Sequence, residues 1–173
     1  MEKIQSTSGS FGYHGEVTIK LKKGRQIQTL PKSSNQGLTY LFNGLCKVMA
    51  GEYNMKEIVP ARVALYSKSS SDDAVFSGYI PATVLCPFET AMFDGQKTII
   101  QGKIPFGNIT QNTVSALALY PIVAENAKDS TDKALAFYTL PTDVAIDRTS
   151  LDDSFIFEWH MEFRNAELTE VSR

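Results

Sequence analysis

Alternating apolar and polar positions dominate the chain, and the clearest run is near its end. Phe155, Phe157, Trp159, Met161 and Phe163 fall on one side of a strand, while Ser154, Ile156, Glu158, His160 and Glu162 fall on the other. A shorter run alternates near the start, with Val17, Ile19 and Leu21 on one face and Glu16, Thr18, Lys20 and Lys22 on the other. Lys23-Gly24 then reads as a turn into residues 25–30. From Val59 onward strands and turns follow one another. Strands are expected at 62–66, at 74–86 with an interruption at Pro81, at 88–93, 97–106, 114–120, 134–140 and 143–146. Asp94-Gly95 and Gly107-Asn108 mark turns between them. One segment breaks the pattern. Leu38, Leu41, Phe42, Leu45, Val48 and Met49 recur at the helical period and predict an amphipathic helix over residues 36–50. Ser34 or Asn35 is its expected cap, and Gly51 its left-handed stop.

A single helix cannot form a bundle, so it must cover an edge or an open end of a sheet. The apolar wall from Phe155 to Phe163 needs a deep partner layer, which two packed sheets supply. The expected fold is therefore mainly β: an antiparallel β-sandwich, jelly-roll-like, carrying one amphipathic helix. Val63-Ala-Leu-Tyr66 resembles Leu117-Ala-Leu-Tyr120, which suggests two similar sheet-forming units. Residues 1–15, rich in Ser, Gly and Thr, are expected to form a flexible N-terminal arm, and residues 16–173 a single domain.

Composition narrows the function. With 173 residues, 43% of them hydrophobic, the chain is long enough to bury a core without a metal or disulfide staple. Ten Phe and seven Tyr against 21% charged residues favour strands and exclude overall disorder. The net charge of -2, with Lys20, Lys22, Lys23 and Arg25 as the densest basic cluster, argues against a nucleic-acid partner. No apolar run is long enough to cross a membrane, and Met1-Glu2-Lys3 does not open a secretory signal, so a cytoplasmic site of synthesis and no membrane partner are expected.

Candidate chemistry is sparse. His14 lies in the glycine-rich arm, where geometry is hard to hold. His160 sits on the polar face of the last strand between Glu158 and Glu162, about 7 Å from each along the strand, which suits a polar row better than a shared metal. Asp72-Asp73 and Asp152-Asp153 are adjacent pairs whose side chains diverge in extended chain, so they are expected to solvate loops and mark strand boundaries. The loops at 68–73 and 125–132 lack the spacing of a calcium loop. Cys46 and Cys86 are expected as small buried hydrophobes. The common hydrolase, NTPase, metallopeptidase and thiol-redox motifs are absent, so no catalytic, cofactor-binding or metal residue is assigned and no enzyme is expected. Tyr13, Tyr53, Tyr79, Phe93 and Tyr138 are the aromatics that a glycan-binding face would use.

Three stretches resemble the small β-rich virion accessory proteins of bacteriophages, the subunits of heads, tails and fibres. They are Asn35-Gln-Gly-Leu38 leading into Leu45-Cys-Lys-Val-Met-Ala-Gly51, then Ile104-Pro-Phe106 with Asn112 to Tyr120, and last Leu135-Ala-Phe137 with Val144 to Phe163. The third is similar to the C-terminal ending of that family, an alternating strand with a central Trp. The resemblance implies a non-catalytic structural subunit of a phage virion (head fibre, decoration or tail component) that self-assembles and docks on the particle. Its partners would be copies of itself, with a symmetric ring or trimer suiting a repeated surface, and other virion structural proteins. The arm at 1–15 would order on docking. The alternative expectation is a receptor- or glycan-binding module that uses the loops near Asp72, Asp94 and Asp129.

Overall fold

The two alternating segments at opposite ends of the chain are partners. A computed structural model describes residues 11–165, apart from 53, 73, 75, 77, 96 and 151. In it β1 (Phe11–Lys23) runs antiparallel to β11 (Ser154–Asn165), from Phe11 opposite Asn165 to Lys22 opposite Ser154. On its other side β11 pairs with β8 (Lys97–Pro105), and β8 with the edge strand β7 (Thr90–Phe93). These strands form one wing. In the other wing β9 (Thr113–Pro121) lies between β4 (Pro60–Lys68) and β10 (Ala136–Ala145), and the short β5 (Tyr79–Pro81) and β6 (Cys86–Pro87) pair with the outer edge of β4.

Two further strands complete the sheet. β2 (Gln26–Thr29) returns along the end of β1. β3 (Ser33–Gly37) joins the wings: Ser33, Ser34 and Asn35 pair with Val17, Glu16 and Gly15 of β1, whereas Gln36 and Gly37 pair with Phe137 and Ala136 of β10. The protein is therefore mainly β, as the sequence predicts, but its two layers are wings of one antiparallel sheet curled into a half-barrel. A strand that changes partners along its length turns such a corner.

The core fills the space between the wings. Val17, Ile19, Ile100, Phe155, Phe157 and Trp159 face Val63, Leu65, Leu117, Leu119 and Tyr138 in one buried cluster. The wall predicted at Phe155, Phe157, Trp159 and Met161 is thus core, with Phe163 packed at its margin. The β4–β9–β10 wing is buried on its second face as well. There Ala64, Ala116 and Ala118 lie under Tyr66 and Tyr120, beneath a loop that contributes Ala124, Ala127 and Ala134. The two similar tetrapeptides prove to be facing strands: Val63 is opposite Leu119, Ala64 opposite Ala118 and Leu65 opposite Leu117.

The first helix, α1 (Thr39–Met49), starts later than its periodicity suggests. Ser34 and Asn35 are spent in β3, and the residue before the helix is Leu38, whose N–H donates to the Leu135 carbonyl (2.9 Å). Gly51 does adopt the left-handed conformation, with φ +78. Leu41 is buried and Leu45 packs on the core, while Phe42 and Met49 of the same stripe stay exposed. A short α2 (Met55–Ile58) follows. Residues 11–15 belong to β1 rather than to a separate arm, and residues 1–10 lie outside the described residues. The strands expected at 134–140 and 143–146 are one, β10, with an irregular register between Thr139 and Val144. Of residues 74–86, the named strands take only Tyr79–Pro81 and Cys86.

Gly102 of β8 sits opposite Phe157, and a Cβ there would lie 2.5 Å from the ring's Cζ. Gly102→Ala is expected to overpack this site and cost about 1–3 kcal/mol, seen as a lower urea midpoint. An unchanged midpoint would show that Phe157 does not occupy this space.

Candidate functional site

The outer face of the β1–β11–β8 wing gathers most of the charged residues that the sequence singled out. Register sets Glu16 opposite His160, Thr18 opposite Glu158, and Glu158 in turn opposite Gln101. The side chains form a chain across the sheet. Thr90 Oγ1 donates to Gln101 Oε1 (3.3 Å), Gln101 Nε2 to Glu158 Oε2 (2.7 Å), and His160 Nε2 to Glu158 Oε1 (2.7 Å). Beside it Lys32 Nζ pairs with Glu16 Oε1 at 2.9 Å. The polar row is present as predicted, but it is half-covered: the His160 side chain is 18% exposed and that of Glu158 34%.

Burial opposes the charge on Glu158. Hydrogen bonds from Gln101 and His160 and the charges of His160 and Lys20 outweigh it, holding the carboxyl below its usual range. Glu16 is also lowered, chiefly by the hydrogen bond from Lys32. Both oxygens of Glu158 are thus occupied by donors, beside a recess of about 170 Å³ that Glu158 and Gln101 line with Thr18, Lys20 and Glu89. That arrangement holds the side chains in place through hydrogen bonds to one another.

A second polar node lies at the margin of the core and was not expected. The Asn35 amide fits its neighbours with its oxygen accepting from Trp159 Nε1–H (2.9 Å) and from the Glu16 N–H (3.1 Å), and its nitrogen donating to the Tyr13 hydroxyl (2.5 Å). Gly15 makes room, since a Cβ there would meet the Asn35 side chain at 2.3 Å. β1, β3 and β11 are pinned together at this point. Burial pushes the Tyr13 hydroxyl up to about 12, against the hydrogen bonds of Trp159 and Asn35. On the far wing the Tyr66 and Tyr120 hydroxyls bond each other, and Tyr66 also donates to the Ala127 carbonyl (3.0 Å). Burial raises both tyrosines as well.

The remaining candidates scatter. Asp72 is exposed in the loop after β4, and Asp73 lies outside the described residues. Asp153 is buried, not solvated: its Oδ1 accepts from Gly24 N (2.7 Å) and its carbonyl from Phe106 N (3.0 Å), which braces the β1–β2 turn against β11. In the 125–132 loop Asn126 Oδ1 accepts from the N–H groups of Lys128 (3.0 Å) and Asp129 (2.7 Å), a self-bonded turn. Cys46, expected inside, is exposed on α1, whereas Cys86 is partly buried. Among the aromatics, Tyr138 is buried, Tyr13 and Tyr79 are half-buried, and Tyr53 lies outside the described residues. Phe93 stands out at 72% exposed.

Phe93 borders a groove of about 230 Å³ at the open end of the half-barrel, shared with Leu41, Leu45, Ile58, Met161 and Phe163. It is smaller than the roughly 300–1,000 Å³ of an ordinary small-molecule pocket. Among the described residues no three His, Cys, Asp or Glu side chains converge on a point, and no helix is long and apolar enough to cross a membrane. Two strands stand open along their whole length, β7 from Thr90 to Phe93 and β2 from Gln26 to Thr29. No family model matches the chain, and no curated protein or solved structure matches it either.

Two pH responses follow from these nodes. Because the folded chain keeps tyrosine protons that the unfolded chain releases near 10.0, stability falls as pH rises beyond that value toward 12. Ultraviolet titration should show Tyr13, Tyr66 and Tyr120 ionising late, with unfolding; all tyrosines titrating together near 10.0 in a folded chain would refute the buried pairs. Glu158 acts in the opposite direction. Its lowered value adds stability above about 4.5 that disappears as pH falls through the folded value, so the urea midpoints of wild type and Glu158→Gln should differ more at neutral pH than in acid. A difference that does not change with pH would contradict this.

Proposed function

We propose that the chain is a non-catalytic structural subunit of a bacteriophage virion, a head fibre, decoration or tail component that works by self-association and docking on the particle. One observation supports the non-catalytic part: the polar side chains around Glu158 bond one another across the outer sheet face, beside an exposed strand edge. Surfaces of that kind suit contact between proteins. The resemblance of residues 35–165 to phage virion accessory proteins supplies the setting, with synthesis in the host cytoplasm and copies of the chain and other virion proteins as partners. A jelly-roll-like sandwich belongs to the same proposal, supported by the two wings that face each other over a single core. In this reading residues 1–10 make the particle contact. They precede Phe11, the first described residue of β1, so their removal leaves every described strand intact.

Purified particles of the virus that encodes the chain test the reading. Mass spectrometry and antibody-labelled electron microscopy should find the chain in many copies per particle. Chains lacking residues 1–10 should fold yet fail to bind particles stripped of the subunit. Absence from particles, or an enzymatic turnover lost in His160→Ala, would overturn the proposal.

A further inference from the structure

We propose that β7 is the contact through which two copies of the chain pair, edge to edge and antiparallel, about a two-fold axis beside Met92. The inference goes beyond the virion reading and takes from it only the idea that the chain self-associates. The sheet path has two ends, built differently, and off the path the short β2 beside β1 leaves a third edge open. At one end lie β5 and β6, short strands that carry Pro81 and Pro87; proline has no N–H to offer a new neighbour and is a common guard on an edge. At the other end β7 reads Thr90-Ala-Met-Phe93, with neither charge nor proline. Met92 is 49% exposed and Phe93 72%. An unguarded apolar edge is a template for another strand, and a chain that left it open would aggregate unless a closed contact covered it.

The backbone fixes which groups are free. Asp94 N–H donates to the Lys97 carbonyl (3.2 Å) and Lys97 N–H to Asp94 Oδ1 (3.0 Å), closing the β7–β8 hairpin with Asp94 bonded to the residue opposite it. Antiparallel pairs alternate, so Met92 bonds inward to Ile99, and the N–H and C=O groups of Ala91 and Phe93 turn to the open side. A two-fold axis through Met92 sets Ala91 of each copy opposite Phe93 of the other, and every outward group of these two residues finds a mate. The side chains agree. Ala91 and Phe93 point toward the core side, as their neighbours Ile100 and Thr98 show, so each large ring lies beside a small methyl of the other copy. Met92 meets Met92 on the polar side. Shifting the axis to Ala91 would set Phe93 against Glu89 and lose half of the bonds.

The second copy is favoured over a different partner strand because this edge complements itself in both backbone and side-chain size. Symmetry also separates a pair from a ring. A ring or trimer built by sheet extension must join β7 to a different edge, the one with prolines or that of β2, neither of which repeats the size match of Ala91 with Phe93; β7 joined to β7 closes after two copies. The strand is only four residues long, well short of the roughly 1,200–2,000 Å² of a stable interface, so the pair should be weak and concentration-dependent.

Sedimentation of the full chain over a range of concentrations reads the pairing directly. Wild type should move from monomer to dimer with rising concentration. Ala91→Pro removes an N–H that β8 does not use, and Phe93→Lys guards the edge with a charge; each should raise the dissociation constant by about tenfold or more while circular dichroism stays native. Should Ala91→Pro disturb folding, Phe93→Lys carries the test. In a Cys46→Ser background, Met92→Cys should cross-link on mild oxidation. The unbonded pair at the axis brings its Cα atoms to about 4.5 Å, within disulfide reach. A chain that stays monomeric throughout, a dimer indifferent to both edge variants, or a Met92→Cys chain that does not cross-link would overturn the proposal. A dimer whose chain is missing from particles would sink only the virion reading, and a monomer found on particles only the edge pairing.

Discussion

The fold depends on the pairing of the chain's two ends. β1 and β11 lie side by side along their whole length, and Trp159, the only tryptophan, sits buried where they meet β3. Nearly everything else is placed by that closure. β11 carries β8 and, through it, the edge β7; β1 carries β3, which leads the sheet across to β10 and the second wing. Contacts between residues this far apart in sequence lose much chain entropy before they gain any burial, so folding of this topology should be slow and cooperative.

The two wings answer different physical demands. The β4–β9–β10 wing is covered on both faces, and its alanines at 64, 116 and 118 share a buried cluster with Tyr66 and Tyr120, whose hydroxyls bond one another. The β1–β11–β8 wing buries one face and shows the other, where polar side chains bond one another. A rigid double-sided wing thus supports a single-sided one whose polar face and open edge are available for contact. Such a division suits a protein that acts through its surface.

Legibility followed the source of each element's stability. β11 and the start of β1 are plain in the residues because their own side chains decide what they bury, and alternation records that choice. β3 was hidden. Ser33-Ser-Asn-Gln-Gly37 has no apolar pattern, and it becomes a strand because β1 and β10 offer it backbone partners; the same residues looked like a helix cap because Ser and Asn serve both uses. Alternation also cannot say whether two layers are joined, so a sandwich and a curled sheet look alike until β3 is seen to bridge them. The role of Gly15 depends on Asn35, a neighbour in space alone, and the residues around it suggested only a loose arm. His160 fell on the expected face, but its bond to Glu158 depends on rotamers that spacing does not reveal. β7 was visible as a strand, whereas its place at the end of the sheet required the whole pairing order.

Residue-resolved amide hydrogen exchange tests most directly whether β7 is a working edge on a closed frame. Amides of β1, β9 and β11 should be among the slowest to exchange. Those of Ala91 and Phe93 should exchange quickly in dilute solution and become protected as concentration rises, while Met92, already bonded to β8, changes little. Equal protection of Ala91, Met92 and Phe93 at every concentration, or fast exchange throughout β11, would contradict it.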